Sequence, residues 1–289
     1  MAESYHTRRV FTPDEFSFAM EMLGTYPWIS RPLHRRGFDE MMDRLIRTED
    51  ERELLRMLLS KFVYVDTVQC EDLIQQIIGQ LGAWGCDKKN TVFVATREKP
   101  RDNDGSVVFL KQLQDRLYEW TENNFENHFD SRHKFRRVKN YKKVILVDDF
   151  IGSGMTIYDR FSILKLELDK TKMPHEIYIV ALAGMNAAKN EYPILVQDIT
   201  FVPLWLEKSF EKGVDIHETT VMSGILDRLN NRNNNSHHYE LAKFGFGFGD
   251  MAGVYYNTHY RMSDNMLAIF WWGRFKDGKD VYHSMFRRA

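Results

Sequence analysis

The stretch Val144-Ile-Leu-Val-Asp-Asp-Phe-Ile-Gly-Ser-Gly-Met-Thr156 sets both the expected fold and the candidate site. Its first four residues are apolar and mostly β-branched, which is typical of a buried strand in a parallel sheet. Asp148 and Asp149 follow at the carboxyl end of this strand, and a short loop leads through Thr156 into a helical pattern over residues 158–168. Because ligands of open α/β sheets bind beyond the carboxyl ends of the strands, we expect a binding crevice here.

The residues of this loop suit an anion. Gly152 and Gly154 allow a tight turn and a close approach of the backbone to a ligand, and the N–H groups of a helix N-terminus attract negative charge. Ser153 and Thr156 add hydroxyl donors. The two adjacent carboxylates would repel a phosphate but suit vicinal hydroxyls, or a Mg²⁺ ion held by hydroxyls. A ribose phosphate satisfies both requirements.

A simpler interpretation stays open at this point. Acid pairs also end buried strands in receiver domains and in the second motif of nucleotide hydrolases, where an ordinary helix follows. No Gly-x-x-x-x-Gly-Lys-Ser/Thr sequence precedes the stretch, which argues against a P-loop nucleotidase.

Composition limits the class of protein. The 289 residues are 43% apolar and 13% aromatic, enough for a substantial core, and the net charge of −1 gives no argument for nucleic acid or an anionic membrane. Only Cys70 and Cys86 occur, which favours a reducing compartment without disulfides or structural zinc. Residues 1–10 are polar, and no apolar run is long enough for a membrane span. We expect a soluble cytoplasmic protein with no membrane partner.

The order of patterns along the chain predicts an α/β fold. Thr12 before Pro13 is a helix start, and helical patterns continue to residue 61, so residues 1–61 are predicted to be a helical cap. Strands predicted at 91–95, 144–147, 176–182 and 199–204 alternate with helices, one of them over 107–120 after a capping Ser106. This order indicates a Rossmann-like parallel sheet within a second domain, residues 62–289. A strand-like run at 267–272 predicts a β-rich C-terminal extension.

The opening stretch resembles the PRPP-binding motif of type I phosphoribosyltransferases: a hydrophobic strand, an acid pair, two apolar residues, a Gly/Thr/Ser loop and a closing threonine. The resemblance implies a phosphoribosyltransferase-like core. It implies that Asp148 and Asp149 are the catalytic pair and bind the ribose 2′- and 3′-hydroxyls, with Mg²⁺ carried by PRPP nearby rather than held directly by the protein. It assigns the 5′-phosphate to the residues that we call the phosphate loop: Ile151, Gly152, Ser153, Gly154, Met155 and Thr156.

The same resemblance gives candidates for the pyrophosphate. In the family, an earlier strand ends in a loop that binds pyrophosphate through backbone amides, and residues 96–99 occupy the matching place. This loop is not glycine-rich, so Arg97 and Lys99 could supply positive charge or could simply be surface residues. Many members also carry a basic hood before the ribose-phosphate strand, where Arg132 and Lys134 lie; a solvated basic connector is the alternative.

Two further comparisons bear on function. Purine-salvage members have an aspartate where this chain has Gly152, which argues against a hypoxanthine or guanine enzyme. Residues 245 to about 271, with alternating glycines and aromatics, resemble the C-terminal segment of a phosphoribosyltransferase-like family of bacterial conflict and anti-phage systems, some encoded beside retron reverse transcriptases. Phe246 and Phe248 could stack on a base, or could pack within a glycine-bulged hairpin.

Two hypotheses result. The protein could bind PRPP, or a related ribose 5-phosphate or nucleotide, and transfer the phosphoribosyl group to a nitrogen acceptor with release of pyrophosphate. Alternatively, it could be a non-catalytic ligand-binding effector or toxin of a retron-type defence system, with a protein or ribonucleoprotein partner from its operon. Homo-oligomerisation is left open by both hypotheses.

Overall fold

The structure is a computed structural model that describes residues 10–97, 104–129, 135–171, 173–229, 240–273 and 283–286. In these residues the α-helices are α1 (Pro13–Thr25), α2 (Pro32–Arg44), α3 (Glu49–Ser60), α4 (Thr67–Ala83), α5 (Gly105–Arg116), α6 (Phe135–Val138), α7 (Met155–Leu168), α8 (Ala187–Glu191), α9 (Ile216–Leu226) and α10 (Leu241–Phe244). The strands are β1 (Val63–Val65), β2 (Thr91–Ala95), β3 (Phe125–Glu126), β4 (Lys143–Ile151), β5 (Glu176–Met185), β6 (Thr200–Phe201), β7 (Leu204–Leu206) and β8 (Tyr255–Asn257). Short 3₁₀-helices span Pro27–Ser30, Glu122–Asn124, Pro193–Val196, Phe248–Asp250 and Ala268–Phe270.

A parallel sheet of six strands organises the fold around β4. Its order is β3-β2-β4-β5-β6, with β7 also paired to β5, and each of these pairings is parallel. Every residue of β2 is buried, as expected for a strand covered on both faces. The predicted α/β class with a parallel sheet is therefore confirmed. β1 and β8 form a separate two-stranded sheet.

Packing of α7 against β4 fixes the position of the phosphate loop. Val144 and Leu146 point to the same face of the sheet, since side chains alternate along a strand. They belong to one buried cluster with Ile157, Leu164 and Leu168 of α7. The strand and the helix on either side of the loop are thus held by a shared apolar core, which fixes both ends of the loop.

The first helices begin where their capping residues predict. The Thr12 hydroxyl accepts from the backbone N–H of Glu15 at 3.3 Å, and the Glu15 carboxylate accepts from Thr12 N–H at 2.9 Å. Thr48 and Glu51 make the same reciprocal pair at the start of α3. Such a capping box satisfies two backbone donors that the helix cannot. The predicted start of α1 at Pro13 is confirmed.

Two element boundaries differ from the predictions. The helix predicted over 107–120 is α5, which begins at Gly105 with Asp104 at its N-cap position and ends at Arg116. The strand predicted over 199–204 is divided into β6 and β7, which pair with different parts of β5. Pro203 lies between them and has no N–H to donate to a strand ladder, which accounts for the division.

The prediction of a strand over residues 267–272 is wrong, because this run contains a 3₁₀-helix. The N–H groups of Phe270 and Trp271 donate to Leu267 and Ala268 oxygens, forming the 3₁₀-helix Ala268–Phe270. A short, fully buried apolar run does not distinguish a strand from a helical turn, which explains the error. The described parts of 209–286 hold two α-helices, two 3₁₀-helices and the three-residue β8, so a β-rich extension is not confirmed there.

The chain divides into two compact units. One comprises residues 1–64, 209–256 and 261–289, and the other comprises residues 65–208 and 257–260. The second unit contains the parallel sheet, the acid pair and the phosphate loop. The proposed division at residues 61 and 62, and the role of the first helices as a cap, stay predictions.

Candidate functional site

The acid pair lies at the carboxyl end of β4, as predicted. The first five residues of the strand are buried, whereas Asp148 and Asp149 are partly exposed. Asp148 pairs in register with Ala181 of β5, and the N–H of Asp149 donates to Asp148 Oδ1 at 3.0 Å. The sheet therefore brings two carboxylates together at its ligand-binding edge.

The surroundings hold a proton on this pair near neutral pH. Burial raises the pKa of Asp148 to about 7; a hydrogen bond with Thr96 works in the opposite direction, and the charge of Asp104 adds to the rise. Burial, followed by the charges of Asp148 and Asp104, raises the pKa of Asp149 well above its usual value. Since two close carboxylates resist ionising together, the pair gains full negative charge only when a donor or cation arrives.

The phosphate loop ends at a glycine that no other residue could replace without strain. Gly154 has φ of 85° and serves as the N-cap of α7. A Cβ at this position would come within 2.7 Å of the Tyr192 ring and 3.2 Å of Leu195. Tyr192 also packs on Tyr158, with ring centroids 4.9 Å apart. The backbone of the loop at Gly154 therefore packs directly against the Tyr192 ring.

The rest of the loop has the features of an anion site. Gly152 is buried, Ser153 is partly exposed, and Met155 and Thr156 are exposed in the first turn of α7. The first N–H groups of a helix have no partner within it, and the helix dipole places positive charge there. In this 14-residue helix those groups lie directly after Gly154, as predicted for a phosphate.

Of the four pyrophosphate candidates, Arg97 is described, whereas Lys99, Arg132 and Lys134 lie outside the described residues. Arg97 Nη1 is 2.6 Å from Asp104 Oδ2, and the Arg97 side chain remains 32% exposed. It follows Thr96, which is buried at the end of β2 beside Asp148. Arg97 is thus paired with Asp104, whose charge acts on both carboxylates of the acid pair.

Three contributors to this site were missed at the level of sequence. Asp104 accepts from Arg97 and from Ser106 Oγ at 2.9 Å. Gly105 lies against the Asp149 carboxylate, and Arg160 of α7 donates from Nε to the Thr96 carbonyl at 3.1 Å. The Asp104-Gly105-Ser106 sequence carries one usable signal, because aspartate is a preferred N-cap residue. Nothing in the sequence of α7 distinguishes Arg160.

The aromatic rings of the glycine- and aromatic-rich segment, residues 245–250, pack against other phenylalanine rings of the chain. Phe248 stacks on Phe244 with centroids 5.7 Å apart, and Phe246 contacts Phe210 edge to face. The Asn265 amide donates to the Phe248 carbonyl at 2.9 Å. The rings therefore pack within the chain, but between α10 and the 3₁₀-helix Phe248–Asp250 rather than in the predicted glycine-bulged hairpin. Stacking of Phe246 or Phe248 on a base stays a prediction.

The described part of the chain contains neither a direct metal site nor a membrane helix. Among the residues that the structure describes, no group of three or more His, Cys, Asp or Glu side chains could hold a metal ion. No helix in the described ranges is both long and apolar enough to cross a bilayer.

Comparison with known proteins identifies the family. A sequence model of the PRTase-CE family, which is of the phosphoribosyltransferase type, matches residues 38–288. Neither the curated proteins nor the solved structures include a significant match. The matched span contains the acid pair, the phosphate loop and Arg97. Since the match covers most of the 289 residues, the chain belongs to the PRTase-CE family.

Proposed function

We propose that this protein binds PRPP, or a related ribose 5-phosphate or nucleotide, and transfers the phosphoribosyl group to a nitrogen acceptor. The observation that carries the proposal is the direct sequence of acid pair, phosphate loop and helix N-terminus at one sheet edge. Asp148 and Asp149 accept hydrogen bonds from the ribose 2′- and 3′-hydroxyls. The N–H groups of residues 153–156 bind the 5′-phosphate, with Ile151 and Gly152 shaping the entry to the loop.

The reaction would be a displacement at C1 of the ribose. The C1–O bond to pyrophosphate breaks and pyrophosphate leaves with the bonding electron pair, while a C1–N bond forms and the nitrogen loses a proton to solvent. Because the transition state resembles an oxocarbenium ion, the protein acts mainly by orienting the ribose and by stabilising the leaving group. In this site the acid pair orients the ribose, and Arg97 stabilises the leaving pyrophosphate. Lys99, Arg132 and Lys134 are further candidates for this second role.

The carboxylates suit a Mg²⁺ ion that arrives with the ligand. Mg²⁺ prefers oxygen donors and retains water, and the partly exposed acid pair offers oxygen donors without forming a complete protein cage. When bound to PRPP, Mg²⁺ would neutralise charge on the diphosphate. Asp148 and Asp149 would then contact it through the ribose hydroxyls or through water.

Calorimetric titration with PRPP, with and without Mg²⁺, tests binding, and pyrophosphate release with a panel of nitrogen bases tests transfer. The double variant Asp148→Asn/Asp149→Asn should lose PRPP affinity, whereas Asp159→Asn, which removes an exposed carboxylate of α7, should retain it. Ser153→Ala should weaken ribose 5-phosphate binding. Unchanged affinity in the double variant would contradict the ribose assignment.

The second candidate is a ligand-binding effector that transfers nothing. The favouring observation is that the loop at residues 96–99, which occupies the place of the family's pyrophosphate loop, is not glycine-rich. Such a protein could act as a toxin or sensor in a retron-type anti-phage system, with a protein or ribonucleoprotein partner, and could form homo-oligomers. PRPP binding without pyrophosphate release for any base would favour this candidate over transfer.

A further inference from the structure

Asp104 stands at the N-cap position of α5 without acting as a cap. Its carboxylate makes no hydrogen bond to the backbone of the first helical turn, although aspartate at this position normally does so. One oxygen instead accepts from Arg97 Nη1 at 2.6 Å, and the other accepts from Ser106 Oγ at 2.9 Å. Both oxygens of Asp104 are therefore directed to side chains rather than to the backbone donors of the helix.

The neighbours of Asp104 belong to the candidate ribose site. Gly105, the next residue, has its backbone against the Asp149 carboxylate. The charge of Asp104 acts on both Asp148 and Asp149. Adding a third acid to an acid pair is unfavourable unless a cation compensates it, and Arg97 is the cation in contact with Asp104.

We propose that Asp104 is a positioning residue, which fixes the guanidinium of Arg97 beside the acid pair so that it contacts the diphosphate of a PRPP-type ligand. This inference rests on the proposed function, because it assumes that the ribose lies on Asp148 and Asp149.

The geometry of an arginine suits this arrangement. A guanidinium has five N–H donors in a rigid plane, so Asp104 can orient it through Nη1 while other donors face a ligand. Arg97 and Asp104 are 32% and 22% exposed, which leaves the pair within reach of solvent and of a ligand. The carbonyl of Thr96, which precedes Arg97, accepts from Arg160 Nε, so the backbone is anchored as well.

PRPP and ribose 5-phosphate differ only in the diphosphate. Comparing their affinities therefore distinguishes a role of Asp104 in positioning Arg97 from a general effect on the structure of the site. The affinities of PRPP with Mg²⁺ and of ribose 5-phosphate are measured by calorimetry for wild type, Asp104→Asn, Arg97→Ala and the double variant. Asp104→Asn keeps the size of the side chain and an acceptor for Ser106 but removes the ion pair. It should weaken PRPP binding about tenfold without weakening ribose 5-phosphate binding, because only the diphosphate contacts Arg97 and the loss of the Asp104 charge favours ionised Asp148 and Asp149.

The double variant should bind PRPP no more weakly than Arg97→Ala alone, since both substitutions remove the same interaction. Asp104→Glu should recover part of the PRPP affinity, and Ser106→Ala, which removes the other partner of Asp104, should cost less than Asp104→Asn.

Equal losses for both ligands, additive single losses, or tighter PRPP binding in Asp104→Asn would overturn the inference. If wild-type protein binds ribose 5-phosphate and PRPP equally well, the ribose site stands and the positioning role fails. If it binds neither ligand, the proposed function fails and the inference falls with it.

Discussion

The carboxylate of Asp149 lies against the backbone of Gly105 at the start of α5. A Cβ added at Gly105 would stand 2.2 Å from the carboxylate carbon and from both of its oxygens. Non-bonded heavy atoms do not approach so closely, so Asp149 can hold this orientation only because residue 105 has a hydrogen in place of a Cβ. The acid pair is thus fixed by the helix that follows β2, a neighbour in the sheet rather than in the sequence.

Gly105→Ala should therefore displace the Asp149 carboxylate. We expect the ribose phosphate affinity to fall at least tenfold, and the free energy of unfolding to fall by about 1–3 kcal/mol from overpacking. Gly79→Ala is the matched control, because it lies in α4 with no atom within 4 Å of its added Cβ, and it should stabilise the protein by about 0.5–1 kcal/mol. Calorimetry and denaturant unfolding measure the two effects. Normal affinity in Gly105→Ala would show that Asp149 does not need this orientation.

Gly154→Ala should destabilise the second unit by two separable effects. The positive φ of 85° costs about 1 kcal/mol for an alanine, and the contact with the Tyr192 ring at 2.7 Å adds a packing cost of about 1–3 kcal/mol. Gly213→Ala isolates the first effect, since Gly213 has φ of 83° and open space around its Cβ. Unfolding in denaturant measures both variants. Equal losses would mean that Tyr192 moves aside freely.

Asp148→Asn should make the protein more stable at pH 8. In the unfolded chain an aspartate ionises near pH 4, whereas the pKa of Asp148 in the fold is raised to about 7, mainly by burial. Between these values the unfolded state releases a proton that the folded state retains, so rising pH progressively favours unfolding. The variant removes this cost, about 4 kcal/mol at pH 8 for a pKa raised from near 4 to about 7, and should gain little at pH 4.

Denaturant unfolding of both proteins at pH 4 and pH 8 measures this difference, with Asp159→Asn as the exposed-carboxylate control. A variant that is no more stable than wild type at pH 8 would contradict the raised pKa of Asp148. The same shift predicts that wild-type affinity for a ribose phosphate rises from pH 6 to pH 8, because ionised carboxylates are better acceptors for hydroxyl groups.

Gly37→Ala should release residues 283–286 from α2. A Cβ at Gly37 would lie 2.4 Å from the backbone of Met285, and backbone atoms cannot move aside as a flexible side chain can. His34 Nδ1 is 2.9 Å from the Met285 oxygen, and Phe286 N–H donates to the Phe270 carbonyl at 3.0 Å. We expect a loss of about 3 kcal/mol in the free energy of unfolding of this unit.

Hydrogen exchange at the Phe286 amide gives a local measurement of the same change. Exchange should be faster in Gly37→Ala and unchanged in Gly24→Ala, because the added Cβ at Gly24 meets nothing within 4 Å. Unchanged protection in both variants would show that the segment tolerates the methyl group.

Local sequence was sufficient wherever the determining interaction is itself local. Thr12, Pro13 and Glu15 predicted the start of α1 because a capping box joins residues three apart. The β-branched run before Asp148 predicted a buried strand, and Gly154 predicted a tight turn into a helix, which the structure makes with a φ of 85°. Prediction from local sequence failed at residues 267–272, where an equally apolar run forms a 3₁₀-helix. An apolar, buried pattern alone does not specify the backbone conformation.

The sequence by itself determined the chemistry of the site: an acid pair, an anion-binding loop and the strand-to-helix order that places them at one edge of a parallel sheet. Only the tertiary structure decided which partners surround them. Asp104 meets Arg97, Gly105 meets Asp149, and Tyr192 supports Gly154, in each case across a gap in sequence that no local pattern encodes. The physical reason is that the burial of a side chain, and the charges near it, depend on all the elements that pack around it. The raised pKa values of Asp148 and Asp149 therefore arise only when the sheet and its helices come together.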